Sequence, residues 1–231
     1  MKKAIVTLNI NVSMLIHFSK PLFLLYATKV KADYVEINEP KIKHPIDPML
    51  EKYQLYDLLD RYERIVFFDA DILVQPRTPN LFDIVPSEKI GAVYDSPDNN
   101  EHNKNRMENV MSIQKILGDI NWREGYINSG VIVLSKQHRN IFTYEIKLDK
   151  ISQCGMLEQN LTNYKIRKHK FPIFKLNNRF NRIAFGNLER FQDETGNLVD
   201  VLHFAGLSRK IDLMEKFFYR ICAGRKRGLG D

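Results

Sequence analysis

Residues Arg64 to Val74 read R-I-V-F-F-D-A-D-I-L-V. Four apolar residues run into two carboxylates separated by one alanine, and three more apolar residues follow. Six of the seven residues at 65–68 and 72–74 are β-branched or aromatic, a composition that predicts a buried strand. A buried strand does not tolerate two unpaired ionised acids, because moving a bare charge into an apolar setting is very costly. Asp69 and Asp71 are therefore expected at the strand's end, facing solvent, a cation or a ligand. Residues i and i+2 of a strand share a side, with Cα atoms roughly 6.6 Å apart. One divalent ion is then within reach of both, and Ala70 leaves its approach open. The plainer alternative is a strand that runs into an acidic turn.

Around this run, apolar and helical patterns alternate. Lys3–Asn9 and Ala32–Asn38 predict strands. Ser13 is a candidate helix cap before Leu15, Phe18, Leu22, Leu25, Tyr26 and Val30 at helical spacing. Pro21 is expected to kink that helix or to mark its first turn. Pro48–Tyr62 predicts a helix and 81–82 a short one. Strands are expected at Lys89–Tyr94, Tyr126–Leu134, Phe171–Leu176 and Val199–Phe204. Helices are expected at Gln137–Lys150, Gly155–Asn163 and Ile211–Ile221. Asp98–Glu108 is polar without periodicity and reads as a mobile loop. The alternation gives an α/β chain with a mixed sheet, read as one domain over residues 1–231 with a basic tail at 220–231.

Bulk properties narrow the function. The 231 residues carry a formal net charge of +7, which favours anionic partners. Nucleic acid is not among the expected partners, because the basic runs at Lys165–Lys170 and Arg225–Arg227 lack a recognition fold. Cys154 and Cys222 form no disulfide framework and have no metal-ligand spacing, so a reducing compartment is expected. No leader is recognised at the N-terminus, and the Ser13–Val30 segment is too interrupted to span a bilayer. A cytoplasmic protein follows, with peripheral membrane contact as an option. The sequons at Asn11 and Asn160 are read as chance.

Four further groups offer chemistry. His203 closes an apolar strand and is followed by Gly206, Arg209 and Lys210. An imidazole can ligate a metal, a glycine lets backbone approach phosphate, and the cations can neutralise it. Alone, such a histidine is more often a core or turn residue. Asn128-Ser129-Gly130 could grip sugar hydroxyls or simply turn into a strand. Asp95, and Glu158-Gln159 near a helix start, could serve chemistry or only a turn and a cap.

Taken in order, these pieces resemble the glycogenin-like retaining glycosyltransferases of family 8. The stretch from Leu50-Glu51-Lys52 to Tyr62, followed by Asp69-Ala70-Asp71 and Leu81-Phe82, is similar to that family's lysine-bearing helix and D-x-D strand. Asp95 resembles its next acidic position, Tyr126–Val131 its F-N-S-G-V segment, Glu158-Gln159-Asn160-Leu161 its D-Q-x-L, and His203-Phe204-Ala205-Gly206 its H-F-x-G loop. The resemblance implies a GT-A fold, with a mixed, mostly parallel sheet flanked by helices. It implies a nucleoside-diphosphate sugar donor, commonly UDP-linked, and Mn²⁺, or Mg²⁺, held by Asp69, Asp71 and His203. Thr7, Leu8 and Asn9 would hold the nucleoside, and Lys52, Ala70, Asn128, Ser129, Gly130, Gly206, Arg209 and Lys210 the rest of the donor. Glu158, Gln159 or Asp95 would stabilise the reacting sugar. The acceptor would be a glycan, a lipid-linked molecule or a protein. Two departures stand out: Glu158 replaces an aspartate, and the lysine expected three residues past Gly206 is Arg209, with Lys210 next.

Rival readings remain at this level. D-x-D after an apolar strand also occurs in metal-dependent phosphohydrolases, which prefer Thr or Val where this chain has Leu73 and place the pair in the first strand. A nucleotidyltransferase would need a glycine-rich N-terminal loop, and the first glycine here is Gly91. A non-catalytic sugar-nucleotide binding protein is the third.

Overall fold

The computed structural model describes residues 1–43, 47–95, 100–144 and 156–227, with backbone alone at 100–105 and 225–227. Six strands form the main sheet: β1 (Lys3–Leu8), β2 (Asp33–Ile37), β3 (Arg64–Phe68), β5 (Ile90–Tyr94), β6 (Ile127–Ser135) and β7 (Ile173–Lys175), in the order β2-β1-β3-β6-β5-β7. β1 runs parallel to β2 and β3, and β7 parallel to β5, while β6 is antiparallel to both neighbours. A smaller sheet has the order β4-β9-β8, from β4 (Ile72–Val74), β9 (Val201–His203) and β8 (Arg182–Ile183).

The unbroken apolar run now has its reason. Ile65 and Phe67 face one hydrophobic cluster, with Val6, Ile132 and Leu134, while Val66 and Phe68 face another, with Ile5, Val131 and Val133. Both sheet faces are covered, so neither strand face can be polar. The first cluster packs under a 3-10 helix (Pro48–Gln54), α2 (Leu55–Arg61) and α5 (Leu157–Lys168), and the second under α1 (Ser13–Val30) and α3 (Leu81–Ile84). A third cluster joins α1, the small sheet and α6 (Lys210–Arg227).

The run Arg64–Val74 is not one strand. β3 ends at Phe68 and β4 begins at Ile72 in the other sheet. Asp69 donates its N–H to the Gly130 carbonyl of the large sheet, and the Asp71 carbonyl accepts from Phe204 of the small one. Asp69-Ala70-Asp71 is therefore the seam where the chain changes sheets.

Other expectations are corrected. Asp98–Glu108 is not a loop where it is described: α4 (Asn100–Leu117) covers it from Asn100 on, and 96–99 lie outside the described residues. Among the described side chains of this helix, Met107, Val110, Ile113, Ile116 and Leu117 pack against the core. Ser13 is the first helical residue, Val12 occupies the cap position without a side-chain bond, and Pro21 lies inside one continuous helix. The Gln137 helix is a 3-10 helix over Lys136–Phe142, and its expected continuation at 145–150 falls outside the described residues, as does Cys154. The basic end is helical as far as Arg227, since α6 extends six residues past Ile221, and 228–231 lie outside the described residues.

Candidate active site

The seam opens onto a cavity of about 440 Å³, lined from β3 to α6 by Asp69, Asp71, Lys52, Ser129, Glu158, Gln159, His203, Gly206 and Lys210 among others. Its floor is β6, every residue of which is buried. The register between β5 and β6 shifts between Ala92 and Tyr94, and α5 takes over what the ladder leaves. Asn163 accepts from the Ile127 N–H and donates to the Ile127 carbonyl, at 2.9 and 2.8 Å. Gln159 Oε1 accepts the Ser129 N–H at 3.0 Å. This explains a helix that is buried without a break from Leu157 to Lys165 although most of those residues are polar: buried polar groups must find partners.

Two lysines flank the two aspartates. Lys52, 1% exposed, reaches Glu158 Oε2 at 2.9 Å and Asp69 Oδ1 at 3.2 Å, and the Ser129 hydroxyl and carbonyl at 3.2 Å. Lys210 reaches Asp71 Oδ2 at 2.6 Å. The remaining carboxylate oxygens face His203, whose Nε2 lies 3.2 Å from Asp71 Oδ1 and 3.9 Å from Asp69 Oδ2. The imidazole fits there only because residue 130 is glycine: a Cβ at Gly130 would come within 2.4 Å of His203 Cε1.

Electrostatics follow from this packing. Burial alone would pull the Lys52 ammonium down, but Asp69 and Glu158 offset it and hold the group above its usual range. Burial pushes Glu158 up despite Lys52, and the Asp69 charge adds to the rise. Burial would also raise Asp71, yet His203 and Lys210 hold its carboxyl well below the usual carboxylate range. Asp69, Asp71 and Glu158 against Lys52 and Lys210 leave one net negative charge, which a divalent cation would reverse. One donor atom each from Asp69, Asp71 and His203 lie within 4.8 Å of one another. Two carboxylates and an imidazole are a donor set that suits Mn²⁺.

The sequence profile of glycosyl transferase family 8 matches residues 9–210. The chain belongs to glycosyl transferase family 8. Among solved structures, a glycosyltransferase involved in glycosylation of the major capsid of PBCV-1 superposes with a TM-score of 0.63 at 13% identity, over 94% of this chain and 100% of that one. The bifunctional glycosyltransferase WbbM gives 0.59 at 16% identity, over 95% of this chain and 49% of its own. The galactosyltransferase LgtC, in complex with donor and acceptor sugar analogues, gives 0.53 at 16% identity, over 96% and 95%. No curated protein sequence matches the chain. The fold of this family 8 member is thus of the GT-A type, and the chain groups with glycosyl transferases and not with D-x-D phosphohydrolases.

Several candidate residues lie away from the cavity. Thr7 is fully buried in β1, and Asn9 donates to Glu36 at 2.8 Å. Of the expected nucleoside set, only Leu8 lines the cavity, beside Val12 and Leu15. Arg209 points away, its side chain 81% exposed and paired with Asp212 at 2.9 Å, so Lys210 is the cation that enters. Asp95 sits behind Gln159, its buried carboxylate paired with Arg106 at 2.6 Å and 3.4 Å from Gln159 Nε2. Among the described residues, Gly206 faces open space with φ of 67°, a conformation that suits glycine. Sequence reasoning missed Asp47, which caps the Pro48 helix and accepts the Glu158 N–H at 3.1 Å. It also missed Arg106 and Asn181, and only Asp47-Pro48, a cap before a proline, carried a local signal.

Proposed function

We propose that this family 8 member transfers a glycosyl group from a nucleoside-diphosphate sugar, UDP-linked, to a hydroxyl of a glycan, lipid-linked or protein acceptor, with retention and with Mn²⁺. The observation that carries this reading is the convergence of Asp69, Asp71 and His203 at the seam, with a lysine on each flank and Glu158-Gln159 lining the same cavity. In the reaction the bond from the anomeric carbon to the diphosphate oxygen breaks and its electron pair leaves with the diphosphate, while the acceptor hydroxyl oxygen bonds to that carbon from the same face and its proton passes to the departing diphosphate oxygen. Asp69, Asp71 and His203 would hold the ion, which supplies Lewis-acid stabilisation of the leaving group. Lys210 and the open backbone at Gly206 add preorganised donors for the same charge. Glu158 and Gln159 face the sugar and stabilise its oxocarbenium-like character, and Arg106 holds Asp95 behind them.

Asp69→Asn and Asp71→Asn should each abolish Mn²⁺-dependent turnover of a UDP-sugar while the circular dichroism spectrum stays native. A thermal-shift screen of nucleotide sugars with and without Mn²⁺ identifies the donor, since native-state ligands raise apparent stability. An Asp71→Asn enzyme that turns over normally at ordinary Mn²⁺ levels would sink the metal assignment. No described helix is long and apolar enough to cross a membrane. We assign the basic end, Arg225 to Arg227, to contact with an anionic membrane, where each cation contributes on the order of 1 kcal/mol. Equal sedimentation of full-length and truncated chains with anionic liposomes would remove that assignment.

A further inference from the structure

A histidine is useful to a metal only through the nitrogen that lacks a proton, and its other nitrogen's partner decides which one that is. The partner of His203 Nδ1 is Asn181 Oδ1, at 2.8 Å. The amide's orientation is fixed by a chain of donors and acceptors. The Gly130 N–H can only donate, so the Asn128 atom 2.9 Å from it is the oxygen. That same oxygen lies 2.8 Å from the Asn181 side chain, which must therefore present its NH₂. The atom left to face His203 is the Asn181 carbonyl oxygen, which accepts and cannot donate. Nδ1 then carries the proton, and Nε2, 3.2 Å from Asp71 Oδ1, is the nitrogen left to bind a cation placed between it and the two aspartates.

The backbone holds this relay in place. β8 begins at the residue after Asn181, and its Ile183 pairs with His203 in register. Asn181 is 3% exposed and His203 likewise, so water does not compete for either bond. Gly130 packs against the ring and supplies the N–H that starts the relay.

We propose that Asn181 is a positioning residue: through Asn128 and Gly130 it fixes the tautomer and the ring direction that His203 needs to bind a divalent cation. This rests on the metal reading above, and its test separates the two. Partners of this kind are typically worth 10–100-fold in metal affinity. Asn181→Leu, close in volume but without an acceptor, should weaken Mn²⁺ binding by that factor, measured by electron paramagnetic resonance on the unreacted protein. In metal-free protein at alkaline pH, nitrogen-15 shifts should show His203 protonated at Nδ1 in wild type and a mixture of tautomers in Asn181→Leu. Asn181→Asp retains an acceptor against Nδ1 and should retain the wild-type tautomer. Should Asn181→Leu fail to fold, Asn181→Ser, too short to reach the ring, is expected to give the same two losses. A wild type that binds no Mn²⁺ refutes the metal reading and leaves the tautomer to decide the role of Asn181. Unchanged nitrogen shifts in both the Leu and Ser variants would overturn the proposal.

Discussion

The two walls of the cavity hold their aspartates in opposite ways. On the Asp69 side, Lys52 is sealed in and bonded to Asp69, Glu158 and Ser129. On the Asp71 side, the Lys210 side chain is 29% exposed and meets one carboxylate. The first lysine belongs to the frame, because a charge without water must be fully paired. The second stands at the first residue of α6, next to solvent, where it can exchange Asp71 for an arriving anion at small cost. The same ion pair, placed at two depths, is sealed on one wall and open to solvent on the other.

The largest effect should come from breaking the sealed wall. Lys52→Met leaves Glu158 buried without its counter-charge, which costs about 3–5 kcal/mol, read as a lowered urea midpoint. Lys52→Met combined with Glu158→Gln should recover most of that stability while turnover stays absent. A single variant as stable as wild type would show that the wall is not sealed.

Acid separates the regions next. His138 lies in the frame, where its Nδ1 accepts the Ser135 N–H and its ring meets Phe171 edge-on. Burial, with the Arg64 charge, pushes it down to about 4 against its bond to the Glu88 carbonyl. The unfolded chain takes up this proton first, so the stability is full above about pH 6.5 and is lost as pH falls towards 4. The loss is on the order of 3 kcal/mol, and His138→Asn should flatten it in urea titrations across pH 4–7. Asp71 is depressed instead, so its contribution persists above its unfolded value of roughly 3.9 and is lost only as pH falls below it. A single acid transition unaffected by His138→Asn would contradict this division.

Lys210→Met tests the open wall. Stability should change by less than about 1 kcal/mol, as for other partly solvated pairs, while calorimetry with nucleoside diphosphate and Mn²⁺ should show about a tenfold weaker Kd, or about 1.4 kcal/mol. A large fall in stability instead would make Lys210 a second frame residue. The smallest effect belongs to its neighbour. Arg209→Ala removes only a solvated pair with Asp212, and the same titration should move by less than about twofold.

The sequence by itself determined most strands of the main sheet, the place of the acids and the order of the pieces along the chain, because these are local properties. An apolar run covered on both faces must stop where ionised groups begin, so Asp69 and Asp71 were legible as an end. It could not show that this end is a passage between two sheets, since a three-residue strand such as β4 is defined by its partner β9. Which cation enters the site was likewise undecided between Arg209 and Lys210 until the start of α6 set their directions. The site's other contacts span 77 residues from Lys52 to Ser129, 106 to Glu158 and 139 from Asp71 to Lys210. Asn181 stood in no recognisable pattern, because its role comes from a ring 22 residues away and an amide 53 residues back. Side-chain hydrogen bonds of that kind leave no periodicity in the chain, and only the packing of β8 beside β9, with Asn181 and His203 against Asn128 and Gly130 of β6, creates them.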